Sequence, residues 1–195
     1  MPAGLEVAGE KDIEVEQGRV VMGGLERRSY VRTERTDFVS NSFVAEVAAT
    51  VTSPAAEPAA GMVFLGMGAG EAEPDPAPQG FWSEPHIEPH AYMRAAPQGF
   101  AGGYLGVTSH GVENPVPRID GGSKTGTHRL RLSWDAGARK AKFEIHRDYT
   151  GGPFVASETL GWIDCSENGF ETSNTRVFIG GPGGYRFEAF EIGPI

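Results

Sequence analysis

The sequence predicts an all-β fold, a two-sheet antiparallel β-sandwich. Three observations predict it. Short stretches alternating apolar and polar residues recur along the 195-residue chain, and alternation with period two marks a strand with one buried face. Glycine (28) and proline (14) are abundant and fall between those stretches, where they punctuate turns rather than helices. No segment combines helical periodicity with capping residues. Ten or more short strands without helices fold as a sandwich or barrel.

Taken in order, residues 12–22 (DIEVEQGRVVM) read as a broken first strand with a turn at Gln17-Gly18. Residues 29–33 form another short strand. Residues 38–52 form a clear one, with Phe43, Ala45, Val47, Ala49 and Val51 sharing a face. Their neighbours Val44, Glu46, Ala48 and Thr50 are mixed, so the second face is expected to be partly covered. Residues 53–60 are a Pro-Ala connection. The near-continuous apolar run at 61–70 (GMVFLGMGAG) reads as a buried strand, its glycines marking close backbone approach.

Residues 71–100 behave differently. Pro74, Pro76, Pro78, Pro85, Pro89 and Pro97 each remove a donor and hold the preceding residue extended, which excludes a regular helix. Pro78-Gln79-Gly80-Phe81 returns as Pro97-Gln98-Gly99-Phe100, and Glu84-Pro85-His86 as Glu88-Pro89-His90. This is a Pro-rich loop excursion with a strand expected near 91–95, and excursions of this length are functional or disordered. Its aromatics favour order. Residues 103–110 (GYLGVTSH) read as a strand, and 111–126, with Pro115 and Pro117, as a second loop.

The most informative stretch is 127–149, THRLRLSWDAGARKAKFEIHRDY. Leu130, Leu132 and Trp134 alternate with Arg129, Arg131 and Ser133. Beyond a loop holding Gly137, Ala141, Phe143 and Ile145 alternate with Lys142, Glu144 and His146. Pairing Trp134 with Ala141, Leu132 with Phe143 and Leu130 with Ile145 puts every apolar side chain on one face. It also sets Arg131 against Glu144 and Arg129 against His146 on an outward face, and a slip of one residue destroys both results. Residues 154–162 are weakly strand-like and 164–174 polar and turn-rich. Residues 175–180 and 185–192 are closing strands around the GGPGG turn.

One domain over residues 1–195 is expected, with the excursion at 71–100 inside it. The net charge of −9 argues against nucleic acid, which needs a basic footprint, and gives no support to anionic membranes. No apolar run has transmembrane length. The opening MPAGLEVAGEKDIEVE lacks a signal pattern, so the expectation is a cytosolic chain, or a secreted or periplasmic one whose leader is missing. Cys165 is alone and makes no intrachain disulfide.

Three residue groups carry a family resemblance: the glycine-studded strand 61–70, the hairpin 128–145 in which a strand ending in Trp134 is followed by a Gly turn and a second strand, and the closing pair Val177-Phe178-Ile179-Gly180-Gly181 and 187–192. In order and kind these pieces resemble the concanavalin A-like lectin/glucanase superfamily, the laminin G-like jelly rolls. The resemblance spans most of the chain as a pattern of pieces. It implies a jelly roll that binds or cleaves carbohydrate, or binds protein, and fold alone does not choose among these. It also implies a loop-bound calcium, held by carboxylates and carbonyls, for which Asp120, Asp164, Glu188 and Glu191 are candidate donors; no Asp-rich loop motif accompanies them.

The retaining glucanases of that superfamily carry Glu-x-Asp-x-x-Glu on one strand. Here Glu73-Pro74-Asp75 begins correctly, but position 78 is proline, so the motif is absent. The richest polar cluster is Trp82, Glu84, His86, Glu88, His90 and Tyr92. Even spacing in an extended chain puts them on one side, and aromatic faces with carboxylate and imidazole partners suit a sugar. Two His and two Glu also suit a metal, whereas a solvated proline-rich loop is the structural alternative. His110, near Glu113, Asn114 and Asp120, joins the same cleft or caps a strand end in water. His128, His146 and Trp134 are expected to be structural. Trp162 and Tyr149 are either packed or exposed platforms. Cys165 has no His partner and is not expected to be a nucleophile.

The first functional expectation is therefore a non-catalytic carbohydrate-binding module of a larger bacterial protein, its groove lined by residues 81–92. A sugar-active enzyme using Glu84 or Glu88 with His110 is the second, and a laminin G-like protein-interaction domain the third.

Overall fold

A computed structural model describes residues 4–9, 13–16, 19–22, 29–51, 63–69, 90–95, 100–106, 114–120, 126–167, 169–171, 173, 175–181 and 186–195. Its strands are β1 Leu5–Gly9, β2 Ile13–Glu16, β3 Arg19–Met22, β4 Ser29–Thr33, β5 Phe43–Val51, β6 Val63–Ala69, β7 His90–Ala95, β8 Phe100–Gly106, β9 Asn114–Asp120, β10 Gly126–Asp135, β11 Lys140–His146, β12 Glu158–Asp164, β13 Thr175–Gly181 and β14 Arg186–Pro194. Among the described residues the only helical turn is a 3-10 turn at Phe38–Ser40. The strands form two antiparallel sheets. One runs β1-β4-β13-β6-β7-β8-β9 and the other β12-β11-β10-β5-β14-β3-β2. They are called below the β6 sheet and the β10 sheet.

The hairpin takes the register that alternation requires. Leu130 pairs with Ile145, Leu132 with Phe143 and Trp134 with Ala141, and on the other face Arg131 pairs with Glu144 and Arg129 with His146. β5 lies on the far side of β10, so Ala45 and Val47 continue the same apolar layer beside Leu132 and Leu130. Against it the β6 sheet presents Val63, Leu65 and Met67, with Ala91 and Met93 of β7 beside them, all closed from water. Each large side chain fully buried in this layer contributes roughly 1.5–3 kcal/mol. Trp134 anchors one end of the core. Its indole Nε1–H donates to the Val39 carbonyl at 3.0 Å, and its ring meets Phe170 edge-on at 5.8 Å. A buried indole needs such an acceptor.

Several elements differ from the sequence expectation. β5 begins at Phe43 rather than 38, because Phe38 and Val39 turn inward to the core and the Val39 carbonyl serves Trp134. The strand β1 precedes the expected first strand and pairs with β4. Residues 114–120, expected as loop, form β9. Both prolines are tolerated there because β9 is an edge strand with a register irregularity opposite Gly102–Tyr104, so missing N–H groups break no central ladder. β8 spans Phe100–Gly106 rather than 103–110. β12 spans Glu158–Asp164 rather than 154–162. It carries a bulge, since Phe143 pairs with Gly161 but Glu144 with Thr159. Leu160 is the extra residue, and Gly161 takes φ +74°, a conformation that glycine adopts without penalty.

Candidate functional site

One end of the sandwich collects the connections that matter. β6 ends beside the start of β13, with Ala69 paired to Thr175. Gly68 pairs with His90, and His90 with Gly106. The chain between β6 and β7, which holds residues 81–89 of the 81–92 stretch, and the chain between β8 and β9, which holds His110, therefore open from the same end of the β6 sheet.

The rim of that end is fixed by hydrogen bonds among three neighbouring connections. Thr175 N–H donates to the Thr36 carbonyl at 2.7 Å, and Cys165 N–H to the Arg139 carbonyl at 2.9 Å. Arg139 Nη2 donates to the Phe170 carbonyl at 3.1 Å, and Ala136 N–H to Ser42 Oγ at 3.0 Å. Arg35 pairs with Asp37 on this rim, which holds the Asp37 carboxyl below and the Arg35 guanidinium above their ordinary values.

Of the sequence-predicted site, Trp82, Glu84, His86, Glu88 and His110 lie outside the described residues. His90 and Tyr92 are positions of β7, in register with Gly106 and Tyr104. The intervening Ala91 and Met93 are the buried ones, so His90 and Tyr92 hold the alternate positions of that strand.

The other candidates are resolved by geometry. His128 Nδ1 accepts the Asp148 backbone N–H at 3.2 Å, and His146 Nδ1 accepts that of Val155 at 3.2 Å. Both histidines thus have structural roles, as expected. Cys165 is buried, and burial pushes its thiol up to about 11. A thiol so disposed is a poor nucleophile. Trp162 is 49% exposed on β12, an open aromatic face. Tyr149 is packed instead, against His146 and Arg129.

The four candidate calcium donors do not converge. Asp164 Oδ1 accepts both the hydroxyl and the backbone N–H of Ser166, at 2.6 and 2.9 Å, and these bonds hold its carboxyl below the usual range. Asp120 stands on β9 of the β6 sheet, opposite Phe100, whereas Asp164 stands on β12 of the β10 sheet, where it pairs with Lys140 beside the hairpin turn. Glu191 reaches Arg129 at 3.3 Å, and Glu188 sits on β14 opposite Ala48. They do not fit a common cation site. Among the described residues no three His, Cys, Asp or Glu groups cluster to hold a metal.

One arrangement was missed from sequence. The outward face of the β10 sheet carries a charged network under a strap, residues 147–157. Arg131 Nε donates to Glu46 Oε1 at 2.6 Å, and Arg129 Nε lies 2.7 Å from Glu46 Oε2 as an ion pair off the N–H axis. Glu144 takes Lys142 Nζ at 2.7 Å and lies 3.9 Å from Arg131. The Phe154 ring stacks on the Arg131 guanidinium at 3.8 Å, and Tyr149 OH meets Arg129 Nη1 at 2.9 Å. The alternation of Arg129, Arg131 and Ser133 signalled a solvent face. Only the two aromatics in the following turn-rich segment hinted at a cover.

Two stacked antiparallel sheets in this strand order have the concanavalin A-like lectin fold. Solved structures agree. The exoplasmic/lumenal domain of VIP36 in its Ca2+/Man2-bound form superposes with TM-score 0.68 at 10% identity, covering 98% of this chain and 81% of that one. The metal-free carbohydrate recognition domain of Emp46p gives 0.68 at 9%, covering 97% and 88%. Winged bean acidic lectin complexed with methyl-α-D-galactose gives 0.64 at 12%, covering 97% and 92%. No family model matches the sequence, and no curated protein matches it.

Proposed function

We propose that the chain is one carbohydrate-binding domain, residues 1–195, that takes a poly- or oligosaccharide at the end where β6, β8 and the start of β7 meet. The observation that carries this is the register pair His90–Gly106, which opens the 81–92 stretch and the His110 connection side by side. Similarity to a winged bean lectin holding a galactoside and to VIP36 holding Man2 supports a sugar as ligand.

In this reading Trp82 and Tyr92 offer aromatic faces to the apolar side of a sugar ring. Glu84 and Glu88 accept from its hydroxyls, and His86, His90 and His110 complete the hydrogen bonding. The reading contains no catalytic step, consistent with the missing Glu-x-Asp-x-x-Glu motif. A glycan array probed with the tagged protein tests it. Retention on a defined set of glycans is expected; a blank array across plant, microbial and animal glycans overturns it.

A further inference from the structure

The strap over the β10 sheet is held in part by two imidazole acceptors. Its base is stapled without an imidazole: Arg147 pairs bidentately with Glu158 at 2.5 and 2.9 Å. Tyr149 N–H donates to the Thr127 carbonyl at 2.7 Å, and Ser157 N–H to the Ile145 carbonyl at 2.8 Å. The span between is tied to the sheet differently. Asp148 N–H donates to His128 Nδ1 and Val155 N–H to His146 Nδ1, both at 3.2 Å. A backbone N–H only donates, so each Nδ1 must be unprotonated. An imidazolium carries hydrogens on both ring nitrogens and repels that donor.

The rest of the strap leans on the same ring. His146 meets Tyr149 edge-on at 5.3 Å and Phe154 at 5.9 Å, and Phe154 covers Arg131. Losing the Val155 bond therefore loosens the cover itself. The charged and titratable groups packed around His146 are Arg129 and Arg131 of β10, Glu144 of its own strand, Arg147 and Tyr149 of the strap, Glu158 of β12 and, through Arg129, Glu46 of β5 and Glu191 of β14. His128 is buried on the inward side of β10; Asp148 of the strap donates to it there, its β5 partner is the uncharged Ala49, and Ala49 pairs with Phe187 of β14, next to Glu188.

We propose that residues 150–156, between the Tyr149 and Ser157 staples, are an acid-released strap, closed while His146 is neutral and lifted from the Arg131–Glu46–Glu144 face when it is protonated, with the Asp148–His128 bond loosening at its base. The staple at Arg147–Glu158 is the hinge. This is independent of the sugar-binding reading, since the strap lies on the other sheet from β7.

Amide hydrogen exchange read residue by residue by NMR tests it, with intrinsic exchange corrected for pH. Between about pH 8 and about pH 5, the range of imidazole titration, Val155 protection is expected to fall about tenfold or more, while Tyr149 and Ser157 stay protected. His146→Asn keeps an acceptor near the Nδ1 position without a titrating group, and should hold Val155 protected at both pH values. His146→Phe removes the acceptor and should leave Val155 unprotected at both. Unchanged Val155 protection in the wild type overturns the proposal. So does equal loss at Tyr149 and Ser157, which reports general unfolding, or a His146→Asn variant as pH-sensitive as the wild type.

Discussion

Phe143 and Glu144 are neighbours on opposite faces of β11, yet neither meets bulk water: Phe143 is fully buried and Glu144 only 8% exposed. The side of the hairpin on which each lies was legible in the alternation. The shielding of Glu144 was not, because the aromatics over the neighbouring arginines, Tyr149 and Phe154, come five and ten residues on, across an irregular turn. Truncation by Phe143→Ala leaves a cavity beside Leu132 and should cost roughly 3–5 kcal/mol in urea melts. Glu144→Gln loses charge-assisted contacts to Lys142 and Arg131 and should cost about 1–3 kcal/mol, more than a surface residue would. Glu46→Gln should cost more than Glu144→Gln, since Glu46 is shared by two guanidiniums and its loss leaves both poorly compensated. The reverse order in those melts would contradict the network. Cys165 supplies a second test: being buried with a raised thiol, it should ignore a thiol reagent in the folded protein and react once denaturant unfolds it. Prompt reaction under native conditions would contradict its placement.

At the scale of elements, strands with a clean period of two were readable, and strands that break the rules were not. β5, β10 and β11 declare themselves by alternation. β9 hides behind Pro115 and Pro117, because a proline signals a break unless the strand is known to lie at an edge. β12 is displaced from its expected span because the bulge at Leu160-Gly161 shifts the alternation by one, a change that only pairing with β11 reveals. The bulge predicts a contrast between two glycines. A Cβ on Gly161 would meet nothing within 4 Å, but φ is +74°, so Gly161→Ala should cost about 1–2 kcal/mol from backbone strain alone. Gly137 has no such φ, and its Cβ would stand in ordinary contact with Asp135 Oδ1 at 3.5 Å, so Gly137→Ala should change stability little. Equal thermal shifts for the two variants would contradict the bulge.

For the whole molecule, the sandwich and its superfamily likeness could be read from the order of pieces, because burying one face of each strand leaves few ways to stack them. The candidate site was legible only as composition. Glu84, His86 and Glu88 share a side in an extended chain, but spacing does not say what they face. The fold adds where their connection begins and ends: it leaves at Ala69 and returns at His90, beside Gly106. That makes the excursion end of the β6 sheet, rather than the exposed Trp162 of the β10 sheet, the place to look for sugar. The most direct test is affinity electrophoresis or calorimetry against a glycan retained on the array, comparing the wild type with Trp82→Ala, Tyr92→Ala and Trp162→Ala. Loss of one aromatic stacking partner should weaken binding about tenfold or more in the first two, with Trp162→Ala binding as the wild type does. Undiminished binding by Trp82→Ala and Tyr92→Ala, or loss confined to Trp162→Ala, would contradict the account.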